Sequence, residues 1–87
     1  MDALTARGAF VWKNHGSAFM MAGLPDIVGV YRGRFLAIET KMPGGQPSIV
    51  QVRVMGKIRY AGGAVMVAQS IKEAMTIIDE IDALISG

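Results

Sequence analysis

Asp26-Ile27-Val28-Gly29-Val30-Tyr31-Arg32-Gly33-Arg34-Phe35-Leu36-Ala37-Ile38-Glu39-Thr40-Lys41 decides how this chain folds. Two runs rich in β-branched, aromatic and aliphatic residues flank Arg32-Gly33, the pattern of a hairpin closed by a two-residue loop. Such a loop pairs Tyr31 with Arg34, Val30 with Phe35, Val28 with Ala37 and Asp26 with Glu39. Alternate residues of a strand share a face. Val28, Val30, Phe35 and Ala37 therefore fall on one side, and Ile27, Leu36 and Ile38 on the other. Both sides are apolar. That predicts a sheet with a layer on each face, or a two-layer form completed by a partner.

At the open end of the hairpin the same register gathers Asp26, Glu39 and Lys41. Directly opposed residues hold their Cβ atoms about 4.5–5.5 Å apart, and Lys41, two residues beyond Glu39, projects to the same face. Opposed carboxylates repel. A divalent cation removes the conflict, because hard ions such as Mg²⁺ bind through one or two carboxylates plus waters and a substrate phosphate. An ammonium beside them can orient water or stabilise charge developing on a phosphate. Taken singly, each residue also fits a plainer role. Asp26 can cap a turn after Pro25, and Glu39 and Lys41 can be a solvated strand-end pair.

Three stretches carry a resemblance: Gly23-Leu24-Pro25-Asp26, Phe35-Leu36-Ala37-Ile38-Glu39-Thr40-Lys41, and Pro43-Gly44-Gly45-Gln46-Pro47-Ser48-Ile49-Val50-Gln51. Together they resemble the virus-type replication-repair nuclease (VRR-NUC) domain of the PD-(D/E)XK nuclease superfamily, from about Ala9 to Ala74. The resemblance implies a restriction-endonuclease-like core and hydrolysis of phosphodiester bonds in DNA with Mg²⁺ or Mn²⁺. It implies that Asp26, Glu39 and the backbone carbonyl of Thr40 hold the metal. Lys41 would be the catalytic lysine and Gln51 an active-site glutamine on the following helix. Family members often carry a further acidic residue, usually Glu, in a helix well upstream; here the acid in that region is Asp2. Some single-domain members are thought to act on four-way junctions as dimers. The implied setting is the cytoplasm of a bacterial or phage-infected cell.

The 87 residues are enough for one small domain, 1–87, near the size where burial is marginal and association helps. A 52% hydrophobic fraction is generous for that length and predicts apolar surface left over for a partner. Zero cysteines exclude disulfides and thiolate metal sites, and fit a reducing cytoplasm. No apolar run approaches the roughly 18–20 residues of a membrane span, and Arg7, Lys13, Asn14 and His15 interrupt any signal-peptide pattern. The seven methionines are expected to fill the core.

Charge is unevenly spread. Residues 1–69 hold every Lys and Arg but Lys72, against Asp2, Asp26 and Glu39, a balance of +5. Residues 70–87 set Lys72 against Glu73, Asp79, Glu80 and Asp82, a balance of −3. Two of the three acids in the basic part are the candidate metal ligands, so that part suits a polyanion. Lys13, Ser48, Arg53, Lys57 and Arg59 are candidate DNA contacts. Arg32 and Arg34 lie at the hairpin tip, away from the carboxylates, and read as surface charge. His15 reads as a loop residue, having no second nitrogen ligand nearby. Trp12 and Tyr60 can stack on bases but read first as core or interface packing.

Outward from the hairpin, Asp2–Arg7 reads as a short helix ended by Gly8, Ala9–Lys13 as a strand and Asn14–Gly23 as a loop. Ser48-Ile49-Val50-Gln51 is a capping box that opens a helix to about Ala61. Gly62-Gly63 stops it, and Ala64–Ala68 is a short buried strand. Ser70-Ile71-Lys72-Glu73 is a second capping box, and Ile71, Ala74, Met75, Ile77, Ile78, Ile81, Leu84 and Ile85 give the last helix one apolar face, its acids facing solvent. The order is α-β-β-β-α-β-α, a small mixed four-stranded sheet with flanking helices.

Gln51 keeps two readings. Its amide can close the capping box on Ser48, or point with Val50, Val54, Met55, Ile58 and Ala61 at the sheet and order water or a phosphate oxygen. On the same helix Ile49, Val52, Gly56 and Tyr60 make a second, largely apolar strip, which predicts a homodimer. No nucleotide-binding fingerprint and no serine triad is present. Two further functions fit the chain: a DNA-binding module of the same fold with weak or no catalysis, and an assembly or interaction protein of a phage or mobile element.

Overall fold

Arg32 and Gly33 both take left-handed backbone angles, φ +51° and +80°, the pair of angles that a two-residue hairpin loop demands. The computed structural model describes residues 1–14 and 21–87. Its elements are α1 (Asp2–Ala6), β1 (Phe10–Lys13), β2 (Ile27–Tyr31), β3 (Arg34–Thr40), α2 (Ile49–Tyr60), β4 (Ala64–Ala68) and α3 (Ile71–Ser86). The order matches the pattern in the sequence, with bounds differing by one residue. Most of the expected loop Asn14–Gly23, with His15, lies outside the described residues.

The protein is a small mixed α/β fold around a four-stranded sheet ordered β1-β2-β3-β4. β1 and β2 are antiparallel, as are β2 and β3, while β3 and β4 run parallel through the α2 crossover. The hairpin register is the expected one: Tyr31 opposite Arg34, Val30 opposite Phe35, Val28 opposite Ala37. Gly29 is required where β1 crosses β2, since a Cβ there would fall 2.1 Å from the Phe10 carbonyl oxygen.

Helices cover both faces. On one, Ile77, Ile78 and Ile81 of α3, with Leu4 of α1, pack on Ile27, Leu36 and Ile38. On the other, Met55 of α2 packs among Val28, Ala37 and Val65. α3 is tied to the hairpin tip as well. The Tyr31 hydroxyl and the Arg32 guanidinium each donate to Asp82 Oδ1 at 2.8 Å, so Asp82 is not the solvated acid its sequence context suggests. These two donors hold the Asp82 carboxyl below the usual carboxylate range, and Asp82 in turn raises the Tyr31 phenol.

Some expectations are corrected. Met55 fills the core and Met66 and Met75 pack at its edge, but Met1, Met21 and Met42 are exposed. Val50 and Ala61 are exposed rather than part of the inward arc of α2. Ile71, Leu84 and Ile85, at the two ends of α3, are exposed rather than part of its buried face. Trp12 and Tyr60 are exposed and do not belong to the core. In the second capping box Ser70 caps the Glu73 N–H, but Glu73 reaches the Gln69 N–H instead of Ser70. No helix among the described residues is long and apolar enough to cross a membrane.

Candidate functional site

Glu39 occupies the last buried position of β3, 2% exposed, on the face toward α2. A carboxylate is costly to bury without partners, and its two oxygens are treated unequally. Oε2 accepts the Gln51 side-chain N–H at 2.8 Å and faces the Lys41 ammonium at 3.2 Å. Oε1 is buried and has no hydrogen-bond partner. A buried acceptor left unmatched is rare enough to require an explanation.

Gln51 closes the capping box and also reaches the sheet. Its carbonyl oxygen accepts the Ser48 N–H at 2.8 Å and completes the capping box. Its amide nitrogen is left to reach Glu39. α2 therefore docks its first turn directly on the end of β3. The Ser48 hydroxyl accepts the Gln51 N–H, so Ser48 builds the helix end.

Asp26 stands one step beyond the last ladder pair, Ile27 opposite Ile38, in line with Glu39. Its Oδ2 accepts the Thr40 N–H at 2.9 Å and the Thr40 hydroxyl. Asp26 thereby clamps the end of β3 one residue past Glu39. Asn14 holds Asp26 from the other side, through its N–H to the Asp26 carbonyl at 2.7 Å and its side chain to the Pro25 carbonyl at 3.0 Å. Sequence reading took Asn14 for a turn former, and nothing in its spacing signals the clamp. Lys41 is fixed by its own N–H to the Ala68 carbonyl at 3.0 Å.

Beside the strand ends is a cleft of about 440 Å³ lined by Met1, Lys13, Asn14, Asp26, Ile27 and Thr40; Glu39, Lys41 and Gln51 do not line it. Lys13 thus stands at the cleft. Arg53, Lys57 and Arg59 are exposed on α2, with Arg59 also donating to the Val65 carbonyl at 3.3 Å. Arg32 is engaged by Asp82, and Arg34 donates to the Gly62 carbonyl at 3.4 Å. Neither is paired with Asp26 or Glu39. Asp2 is exposed in the first turn of α1, and among the described residues no group of three or more His, Asp or Glu gathers as a metal cluster. The groups at the strand ends that could hold a metal are the Asp26 and Glu39 carboxylates and the Thr40 carbonyl, hard oxygens of the kind Mg²⁺ and Mn²⁺ accept. The chain matches no protein-family model, and no curated protein matches it significantly.

Proposed function

We propose that this protein is a divalent-metal-dependent DNA endonuclease of the PD-(D/E)XK type, with a restriction-endonuclease-like core and a VRR-NUC-like active site. The observation that carries the reading is Glu39: a buried carboxylate beside Lys41 with one oxygen, Oε1, unmatched. A cation is the simplest partner for that oxygen. Mg²⁺ or Mn²⁺ would be held by Glu39, Asp26 and the Thr40 carbonyl, and when bound supplies Lewis-acid stabilisation of phosphate charge and water made acidic near neutral pH.

The chain's own residues do the positioning. Asp26 and Thr40 lock the two strand ends together, and Gln51 fixes the Glu39 carboxylate from α2. Lys41 orients the attacking water toward phosphorus and offsets the negative charge that builds on the phosphoryl oxygens. Lys13 at the cleft, with Ser48, Arg53, Lys57 and Arg59 around α2, would hold the flanking phosphates. The partner is DNA, duplex or branched, with four-way junctions suited to a homodimer carrying two sites. The exposed strip Ile49, Val52 and Tyr60 supports that dimer, and the cysteine-free composition suits a cytoplasmic protein.

Among the described residues no third acid clusters with Asp26 and Glu39, which favours a second reading, a DNA-binding module that does not cut. Labelled duplex, flap, single-stranded and four-way-junction DNAs, incubated with Mg²⁺, Mn²⁺ or chelator, separate the two. Metal-dependent, chelator-sensitive nicking is expected. Binding with no product under any metal supports the module instead.

A further inference from the structure

α3 closes the core unevenly along its length. Ile77, Ile78 and Ile81 are each 0% exposed and fill the space between helix and sheet. One turn nearer its start, α3 offers only Ala74 and Met75. The elements facing that turn offer Ala3 of α1 and Ala68 of β4. Three side chains of one methyl each leave a cavity of about 230 Å³, open to solvent past the exposed Gln69, Ser70 and Ile71. Its floor is Leu4, Ile27 and Ala68, all buried, and Thr40 and Lys41 complete the wall from the sheet side.

Position, size and polarity limit what this cavity holds. It lies past Thr40 and Ala68, the paired C-terminal residues of the parallel strands β3 and β4. The chain leaves β3 for the helix on one face and β4 for the helix on the other, and open α/β sheets bind ligands in the crevice where that happens. Ile27 and Thr40 also line the cleft that carries Asp26 and Lys13, so the two spaces adjoin. Lys41, on the cavity wall, is two residues past Glu39, about 7 Å of extended chain.

An apolar cavity of about 150 Å³ is enough for one benzene; 230 Å³ holds a planar group half again as large. Among the described residues no acid lines it, and its one charge is Lys41. Gln69 brings an amide with both donors and an acceptor. The Ser70 oxygen accepts the Glu73 N–H and keeps its own O–H to donate. An apolar slot with a hydrogen-bonding rim, between Lys41 on its wall and Lys13 in the adjoining cleft, matches a flat heteroaromatic ring carried on an anionic backbone.

We propose that this cavity receives one unpaired base of a bound DNA strand, turned out of its stack beside the phosphate at the strand ends. The proposal rests on the functional reading above and narrows its substrate to DNA with a base free to leave the helix. The backbone passes over Lys13 and Lys41, whose charges hold its phosphates, and the base enters between Ile27, Ala68 and Ala74. Gln69 and Ser70 hydrogen-bond its edge. Turning out a paired base costs pairing and stacking, whereas a base at a bulge, flap or junction has already lost part of both. The cavity thereby favours branched DNA over intact duplex.

The probe is a DNA duplex with a single bulged 2-aminopurine, a fluorescent base that is dim when stacked. No aromatic side chain lines the cavity, so the base should brighten several-fold on binding and be shielded from acrylamide. Titration of the full chain at low salt in chelator keeps cleavage out of the measurement. A fully paired duplex of the same sequence should bind about 10-fold more weakly and stay dim. Ala74→Leu and Ala3→Leu fill the cavity from two different helices. Each should abolish the brightening and lower affinity for the bulged duplex to that for the paired one, with circular dichroism unchanged. DNA that binds while the base stays dim, or a bright base that both filled variants leave unchanged, overturns the cavity and leaves the nuclease reading to the nicking assay. Shielding of the free 2-aminopurine nucleoside equal to that of the bulged strand overturns the strand and assigns the cavity to a mononucleotide. Failure to bind either duplex overturns both the cavity and the reading it rests on.

Discussion

Gln51 donates its side-chain amide to Glu39 Oε2 at 2.8 Å while its carbonyl oxygen caps the Ser48 N–H at 2.8 Å. One side chain thus ties the stability of a helix end to the placement of a buried carboxylate. Ser48→Ala should cost about 1 kcal/mol of stability, the usual worth of an N-cap, and leave metal affinity nearly unchanged. Gln51→Ala should lower both. Urea unfolding and metal titration of the two variants separate the effects; equal metal affinity in both would place Gln51 outside the site.

Glu39→Gln keeps the shape of the side chain and removes its charge. The unmatched Oε1 is a cost in the metal-free protein, so the variant should be at least as stable as wild type without metal. Wild type should gain on the order of 1 kcal/mol at metal concentrations several times the dissociation constant, a rise of about 4–8 °C for a domain of this size. Glu39→Gln should gain nothing. Thermal scans with and without 10 mM Mg²⁺ or Mn²⁺ provide the check.

Asp82 predicts a pH dependence. Its folded-state pKa is depressed by the Arg32 and Tyr31 hydrogen bonds. Its contribution to stability is therefore present above the ordinary carboxylate pKa and lost as pH falls through the lowered folded value. Asp82→Asn should flatten that acid limb and have a smaller relative effect at the lowest pH. Tyr31, raised by the same contact, contributes below its ordinary pKa and loses that contribution at strongly alkaline pH. Unfolding free energies of wild type and variant from pH 2 to 7 test the sign.

Gly29→Ala should be among the most damaging small substitutions. The added methyl would meet the Phe10 carbonyl oxygen at 2.1 Å and the Val11 Cα at 2.8 Å. Relief requires β1 to part from β2, at about 1–3 kcal/mol or more. Chemical denaturation measures it, and a change within error of zero would show that β1 moves freely.

The hairpin was legible because its evidence is local: a turn with its own chemistry and alternation that pins the register. That register carried Asp26, Glu39 and Lys41 to one end of the sheet, and Ser48 and Gln51 followed from a capping pattern. Local patterns do not report which groups a side chain meets across the fold. Asp82 looked solvated because its partners, Tyr31 and Arg32, lie some fifty residues away in sequence. Asn14 looked like a turn former for the same reason. The exposure of Phe10, and of Trp12, which read first as core or interface packing, was not legible either, because alternation shows that a face is apolar but not whether a helix covers it.

The central claim is that Lys41, held 3.2 Å from Glu39, belongs to a phosphodiester-cleaving site. The most direct measurement is the nicking rate of labelled branched and duplex DNA in Mg²⁺ or Mn²⁺, comparing wild type with Lys41→Ala at matched DNA binding. The account predicts metal-dependent nicking by wild type and a fall of about 10²–10⁴-fold in the variant, the range for removing one positioned catalytic group, with folding intact. Equal rates in the two proteins, or nicking that persists in chelator, would contradict it.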